Sequence, residues 1–147
     1  MTILDRISSD LKDAMRARDK QKLETLRLIT AAVKQIEVDE RITVEEDRML
    51  VILDKLAKQR KESITQFKAA GRQDLVDKEE YELALINQYL PEPFTEAEIN
   101  TMIESTMTEL QAEKISDMGK VMNQLKPLLQ GRADMSKVSA LIKARLS

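Results

Sequence analysis

Ile115-Ser116-Asp117-Met118-Gly119-Lys120-Val121-Met122-Asn123-Gln124, continuing Leu125-Lys126-Pro127-Leu128-Leu129-Gln130-Gly131-Arg132-Ala133-Asp134, is the stretch on which the fold turns. Two of the three glycines and one of the three prolines in the chain fall within it. Met118, Val121, Met122, Leu125, Leu128 and Leu129 recur at steps of three and four, so they form one apolar arc of a short helix. Ser116 or Asp117 suits the cap of its first turn. Gly131 suits the left-handed residue just past a helix end, where a side chain would clash, and Asp134 suits the N-cap of the next helix. Between them lies a tight corner that carries Arg132.

On the C-terminal side, Val138, Leu141, Ile142 and Leu146 predict a helix from Met135 to about Arg145. On the N-terminal side, Thr95-Glu96-Ala97-Glu98 reads as a capping box opening a helix with Ile99, Met102, Ile103, Thr106 and Leu110 inward. Together these make a C-terminal three-helix bundle over residues 95–147. Leu90-Pro91-Glu92-Pro93 must end whatever helix precedes it, because Pro91 and Pro93 lack amide donors and push their neighbours toward extended geometry. That segment is the expected domain boundary.

Residues 1–90 predict an N-terminal helical domain of about four helices built on a long antiparallel hairpin. Thr2 with Asp5 starts the first, with Ile3, Leu4, Ile7, Leu11, Ala14 and Met15 apolar, and Arg16 to Lys20 is a turn. Asp19 caps the second, whose Leu23, Leu26, Ile29, Val33 and Ile36 approach a heptad and call for a lengthwise, antiparallel partner. Val38 to Ile42 reads as irregular, and Thr43 with Glu46 as a capping box for a long third helix through Met49, Leu53, Leu56, Ile64 and Phe67 to Gly71. Its Lys55, Lys58, Arg60, Lys61 and Lys68, with Arg72 beyond it, alternate with acids, Lys58 to Glu62 being one i,i+4 pair, so they read as a solvated face. Asp74 opens a fourth helix with Leu75, Tyr81, Leu85 and Tyr89.

The composition agrees with an all-α fold: 34% of residues are charged, 3% are aromatic, and glycine and proline number three each. The chain has no cysteine and no histidine, which excludes Cys/His zinc sites, thiol nucleophiles, histidine-based catalytic pairs and disulfides within it. The opening Met1-Thr2-Ile3-Leu4-Asp5-Arg6 mixes charges at once, and no apolar run suffices to span a bilayer, so the expectation is a soluble cytoplasmic protein. Charge is unevenly spread. Residues 114–147 hold seven basic and two acidic side chains, whereas residues 91–113 hold six acids and no base. A basic end points toward an anionic partner.

No catalytic constellation emerges. Ser9 and Lys12 have a Ser-x-x-Lys spacing but nothing nearby suggests an oxyanion hole, and Gly119-Lys120 lacks the upstream glycine of a phosphate loop. The acidic runs Glu45-Glu46-Asp47 and Glu79-Glu80-Glu82 are read at helix starts, where the dipole favours negative charge, which leaves no metal site and no cofactor to expect. Gly119 either opens backbone amides to a phosphate or lets its helix pack closely on a neighbour; Asp117 beside it favours packing. Arg132, held at a corner, can fork onto a phosphate with little entropy lost. Lys120, Lys126, Lys137 and Lys143 lie outside the apolar arcs of their helices and can frame a basic surface around it.

The Gly119-Lys120-Val121-Met122 segment, a ten-residue helix and Gly131-Arg132-Ala133-Asp134 resemble the C-terminal signature of the GatB/YqeY family, and Tyr89-Leu90-Pro91 adds to the likeness. In that family the module occurs as a small free-standing protein and as the C-terminal tail of one component of the tRNA-dependent Asp/Glu amidotransferase. The resemblance implies tRNA or an amidotransferase complex as partner and a link to carbon-nitrogen ligation with glutamine as amido donor. It implies an accessory with no active centre of its own, since chemistry there resides in other domains. The alternative is a helical protein-interaction module using the corner, an apolar groove and the methionines Met102, Met107, Met118, Met122 and Met135. A DNA-binding helix-turn-helix is weaker, because the last helix has no Asn or Gln to read base edges.

Overall fold

Thr2 and Asp5 close a reciprocal capping box at the start of α1 (Ile3–Ala17), each side chain bonded to the other residue's amide at 3.1 Å. From there the chain is helix after helix. The computed structural model describes all of residues 1–147 and is all-α: α2 (Lys20–Glu40), α3 (Glu46–Ala69), α4 (Gln73–Asn87), α5 (Glu96–Leu110), a single 3-10 turn (Ile115–Asp117), α6 (Met118–Leu129) and α7 (Met135–Leu146). No helix is long and apolar enough to cross a membrane. Contacts divide the chain into two compact units, Met1–Leu90 and Pro91–Ser147.

In the first unit the periodic positions of each helix converge on one core. Ile7, Leu26, Ile29, Met49, Leu53 and Ile86 are its fully buried members. The hairpin of α3 and α4, turned through Gly71 at φ 69°, is its most extensive helix pair. Several expectations change here. Val38 to Glu40 is helical rather than irregular, since α2 runs on to Glu40; the irregular stretch begins only at Arg41, which is left-handed, and Ile42. Thr43 and Glu46 form no capping box; Glu45 stands at the N-cap without a side-chain bond, and both Glu46 carboxylate oxygens instead accept from the Ile3 amide, 43 residues away. α4 starts from Arg72, and Asp74 pairs with Arg72 rather than capping. Lys58 pairs with Asp54, not Glu62.

Glu79, Glu80 and Glu82 lie in the middle of α4, not at a helix start. There they meet the cations of α3: Arg60 bonds buried Glu82 at 3.2 Å and faces Glu79 at 4.0 Å, while Lys68 faces Glu80 at 3.6 Å. Tyr89, buried in the turn just past α4, donates its hydroxyl to Asp10 of α1. Burial, reinforced by that carboxylate, raises its pKa well above the ordinary tyrosine value and keeps it the donor. Arg6 lies over the Tyr89 ring at 5.3 Å and donates to the Gln88 carbonyl, so the turn that follows α4 is tied to α1.

The second unit has its own core, with Ile103, Val121, Leu125, Leu129, Val138 and Ile142 fully buried. The Thr95–Glu98 capping box forms with both bonds. Leu128 departs from the expected apolar arc and is 56% exposed. The five methionines of the possible interaction surface are half-buried against this core, where a flexible thioether fills gaps, so they form no exposed Met-rich face.

Candidate functional site

The 3-10 turn Ile115–Asp117 leads into α6, and the Asp117 carboxylate turns back on the preceding loop. It accepts from the Glu113 and Lys114 amides, each at 3.1 Å, and makes no cap bond to α6. Those amide bonds, with a smaller contribution from the Lys120 and Lys114 charges, hold its pKa below the ordinary carboxylate value. Ser116 and Asp117 therefore do not cap α6 as expected.

Gly119 is exposed in the first turn of α6, and a Cβ there would meet nothing within 4 Å. Close packing thus does not account for this glycine. Since its backbone is helical, Gly119→Ala is expected to stabilise the protein by about 0.5–1 kcal/mol through the unfolded chain's entropy. Denaturant unfolding checks this, and a loss of stability would restore the packing explanation.

Pro127 sits in the last turn of α6 without ending the helix, which continues to Leu129. Beyond it Gly131 adopts φ 79°, the left-handed conformation that a Cβ disfavours. Asp134 caps α7 through the Ser136 amide at 3.0 Å. Arg132, between them, is half-buried and already engaged. Its guanidinium lies 3.7 Å from the centre of the Phe94 ring, its Nε donates to the Glu92 carbonyl at 3.0 Å, and its own carbonyl accepts from the Phe94 amide at 2.9 Å. These three links fasten the segment before α5 to the corner before α7. Sequence alone suggests a free phosphate fork at Arg132 and does not connect it to Phe94, which lies 38 positions away.

Beside this stack is a groove of about 590 Å³. Phe94, Ile99, Val138 and Leu141 contribute apolar walls, and Glu96, Arg132, Asp134 and Lys137 bring charge to it. Of the five cations singled out in the sequence, the structure brings Arg132 and Lys137 together at the groove. Lys120 and Lys126 on α6 and Lys143 on α7 are exposed and do not line it. None of the four lysines is in an ion pair, whereas Arg145 of α7 faces Glu104 of α5 at 3.8 Å. Ser9 and Lys12 of the Ser-x-x-Lys spacing are both exposed.

Residues 4–146 match the family described as Yqey-like protein. The chain is also similar to the fungal proteins called Altered inheritance of mitochondria protein 41, mitochondrial. It is 33% identical over 133 residues to that of Pyrenophora tritici-repentis, covering 89% of this chain and 73% of the relative. For Vanderwaltozyma polyspora the identity is 37% over 111 residues, covering 74% and 60%, and for Lachancea thermotolerans 35% over 108 residues, covering 71% and 58%. The chain thus spans about three fifths of the length of the latter two. These names overturn the expectation of a cytoplasmic protein: the relatives are named as mitochondrial, and a charged, helical composition does not distinguish one aqueous compartment from another. A match over nearly the whole chain, carried by helices that close into the two units described, places this protein in the Yqey-like family.

Proposed function

We propose that this protein is a non-catalytic RNA-binding accessory, with tRNA as the partner and tRNA-dependent amidation, in which glutamine supplies the amide, as its setting. One observation carries the reading: cations are concentrated at the C-terminal end of the second unit, where residues 114–147 hold seven basic side chains against two acidic. In α6 and α7, Lys120, Lys126, Lys137 and Lys143 are exposed without an ion-pair partner. Uncompensated lysines on a basic segment suit a polyanion, because each phosphate neutralised releases condensed counterions. The likeness of the corner signature to the amidotransferase tail supplies the choice of tRNA.

The test is binding of purified protein to bulk tRNA across a salt series. If about three to five phosphates are neutralised, the log-log slope is roughly −2 to −4, and Lys120→Ala and Lys126→Ala each make it shallower by about one. Binding that is absent, or indifferent to both variants, would remove the RNA reading. It would favour the alternative, a helical protein-interaction module, for which the apolar walls of the groove speak.

A further inference from the structure

We infer that the groove beside the corner receives one unstacked nucleobase of the bound RNA, laid against the guanidinium of Arg132. This deepens the RNA reading above and rests on it. The first ground is the fixed plane of Arg132. Its stack on Phe94 at 3.7 Å and its Nε bond to Glu92 hold the guanidinium in place, so stacking a second flat group on it costs little further side-chain entropy. Unpaired RNA bases are held in this way, on aromatic rings and on arginine planes.

The second ground is the shape and polarity of the space. A volume of about 590 Å³ falls within the range of small-ligand pockets, roughly 300–1,000 Å³. Its walls are apolar, but two cations and two carboxylates line it as well. A bare phosphate would meet Glu96 and Asp134 as repulsion. An apolar peptide side chain would leave all four charged groups unmatched. A nucleobase has a hydrophobic face together with donors and acceptors on its edge, and the phosphate attached to it complements Lys137. The exposed lysines outside the groove then serve the backbone, which separates positioning from base contact.

The experiment compares two RNAs on the full chain: a blunt-ended hairpin, and the same hairpin with a three-nucleotide single-stranded 3′ overhang carrying 2-aminopurine. Two variants are used. Ala140→Trp fills the groove from an exposed position that lines it, and Arg132→Lys keeps the charge but removes the plane. The expected result is an overhang that raises wild-type affinity by about 5- to 20-fold and quenches the 2-aminopurine. Both variants lose that gain, and Ala140→Trp retains the wild-type salt slope on the blunt hairpin. An overhang that adds nothing, or a gain untouched by Ala140→Trp, overturns the proposal while salt-dependent hairpin binding leaves the RNA reading standing. If neither RNA binds, both fall. If the overhang adds nothing but the apolar dye 1-anilinonaphthalene-8-sulfonate binds wild type and not Ala140→Trp, the groove belongs to a protein segment and the proposal is overturned.

Discussion

Arg60→Ala is expected to lower the stability of the unit formed by residues 1–90 by about 3 kcal/mol, because it removes the partner of a buried carboxylate. The Glu82 side chain is 7% exposed and that of Arg60 16%, so the carboxylate is largely withdrawn from bulk water. Truncating the arginine leaves Glu82 desolvated and Glu79 close beside it on the same helix, where the two acids repel. The pair itself contributes much less than its loss costs. Desolvating two charges offsets most of their attraction, so the double variant Arg60→Met with Glu82→Leu should come within about 1 kcal/mol of the parent. Urea unfolding of both variants separates the two statements. A single variant as stable as the parent would show that water reaches Glu82 and that the α3–α4 hairpin does not depend on this contact.

Leu125→Ala should cost the second unit about 3 kcal/mol, within the usual range for a fully buried leucine whose site collapses only in part. Leu125 sits at the centre of a small core, among Ile103, Val121, Leu129, Val138 and Ile142, all inaccessible to solvent. A unit of this size has little stability in reserve, so the loss removes a large share of it. Amide exchange is the informative readout. Protection should vanish across α5, α6 and α7 while α1 to α4 keep theirs, since the two cores share no residue. Uniform loss of protection throughout the chain would mean that the units unfold together.

What is legible in the sequence is what local chemistry decides. Apolar spacing places all seven helices. The Thr95–Glu98 box, the Asp19 and Asp134 caps and the left-handed Gly131 follow from bonds made within a few residues. Helix ends are harder wherever glycine is not used. Arg18, Arg41 and Gln111 all take φ between 54° and 56° to close α1, α2 and α5, a conformation unfavourable to a residue with a Cβ and therefore without a residue signature. The remaining differences are tertiary. Glu46 resembles half of a capping box but serves the amide of Ile3, and Glu82 resembles a helix-start acid but lies buried against Arg60.

The candidate site divides along the same line. Exposed lysines outside an apolar arc can be read from periodicity alone, because only the helix itself is needed to place them. The engagement of Arg132 cannot be read in this way, since Phe94 and Glu92 reach it across the bundle. A phenylalanine just before a capping box, in a chain with only two phenylalanines, is the one available hint. Its consequence is a change of role: Arg132 organises the corner and presents a plane, while the unpaired lysines hold the charge available to a polyanion.

Backbone amide chemical shifts of labelled protein titrated with tRNA locate the RNA surface directly. The expected perturbations fall on α6 and α7, around Lys120, Lys126, Lys137 and Lys143, and on the corner from Gly131 to Asp134. Perturbations confined to the charged face of α3, or none at saturating tRNA, would contradict the assignment of RNA binding to the second unit.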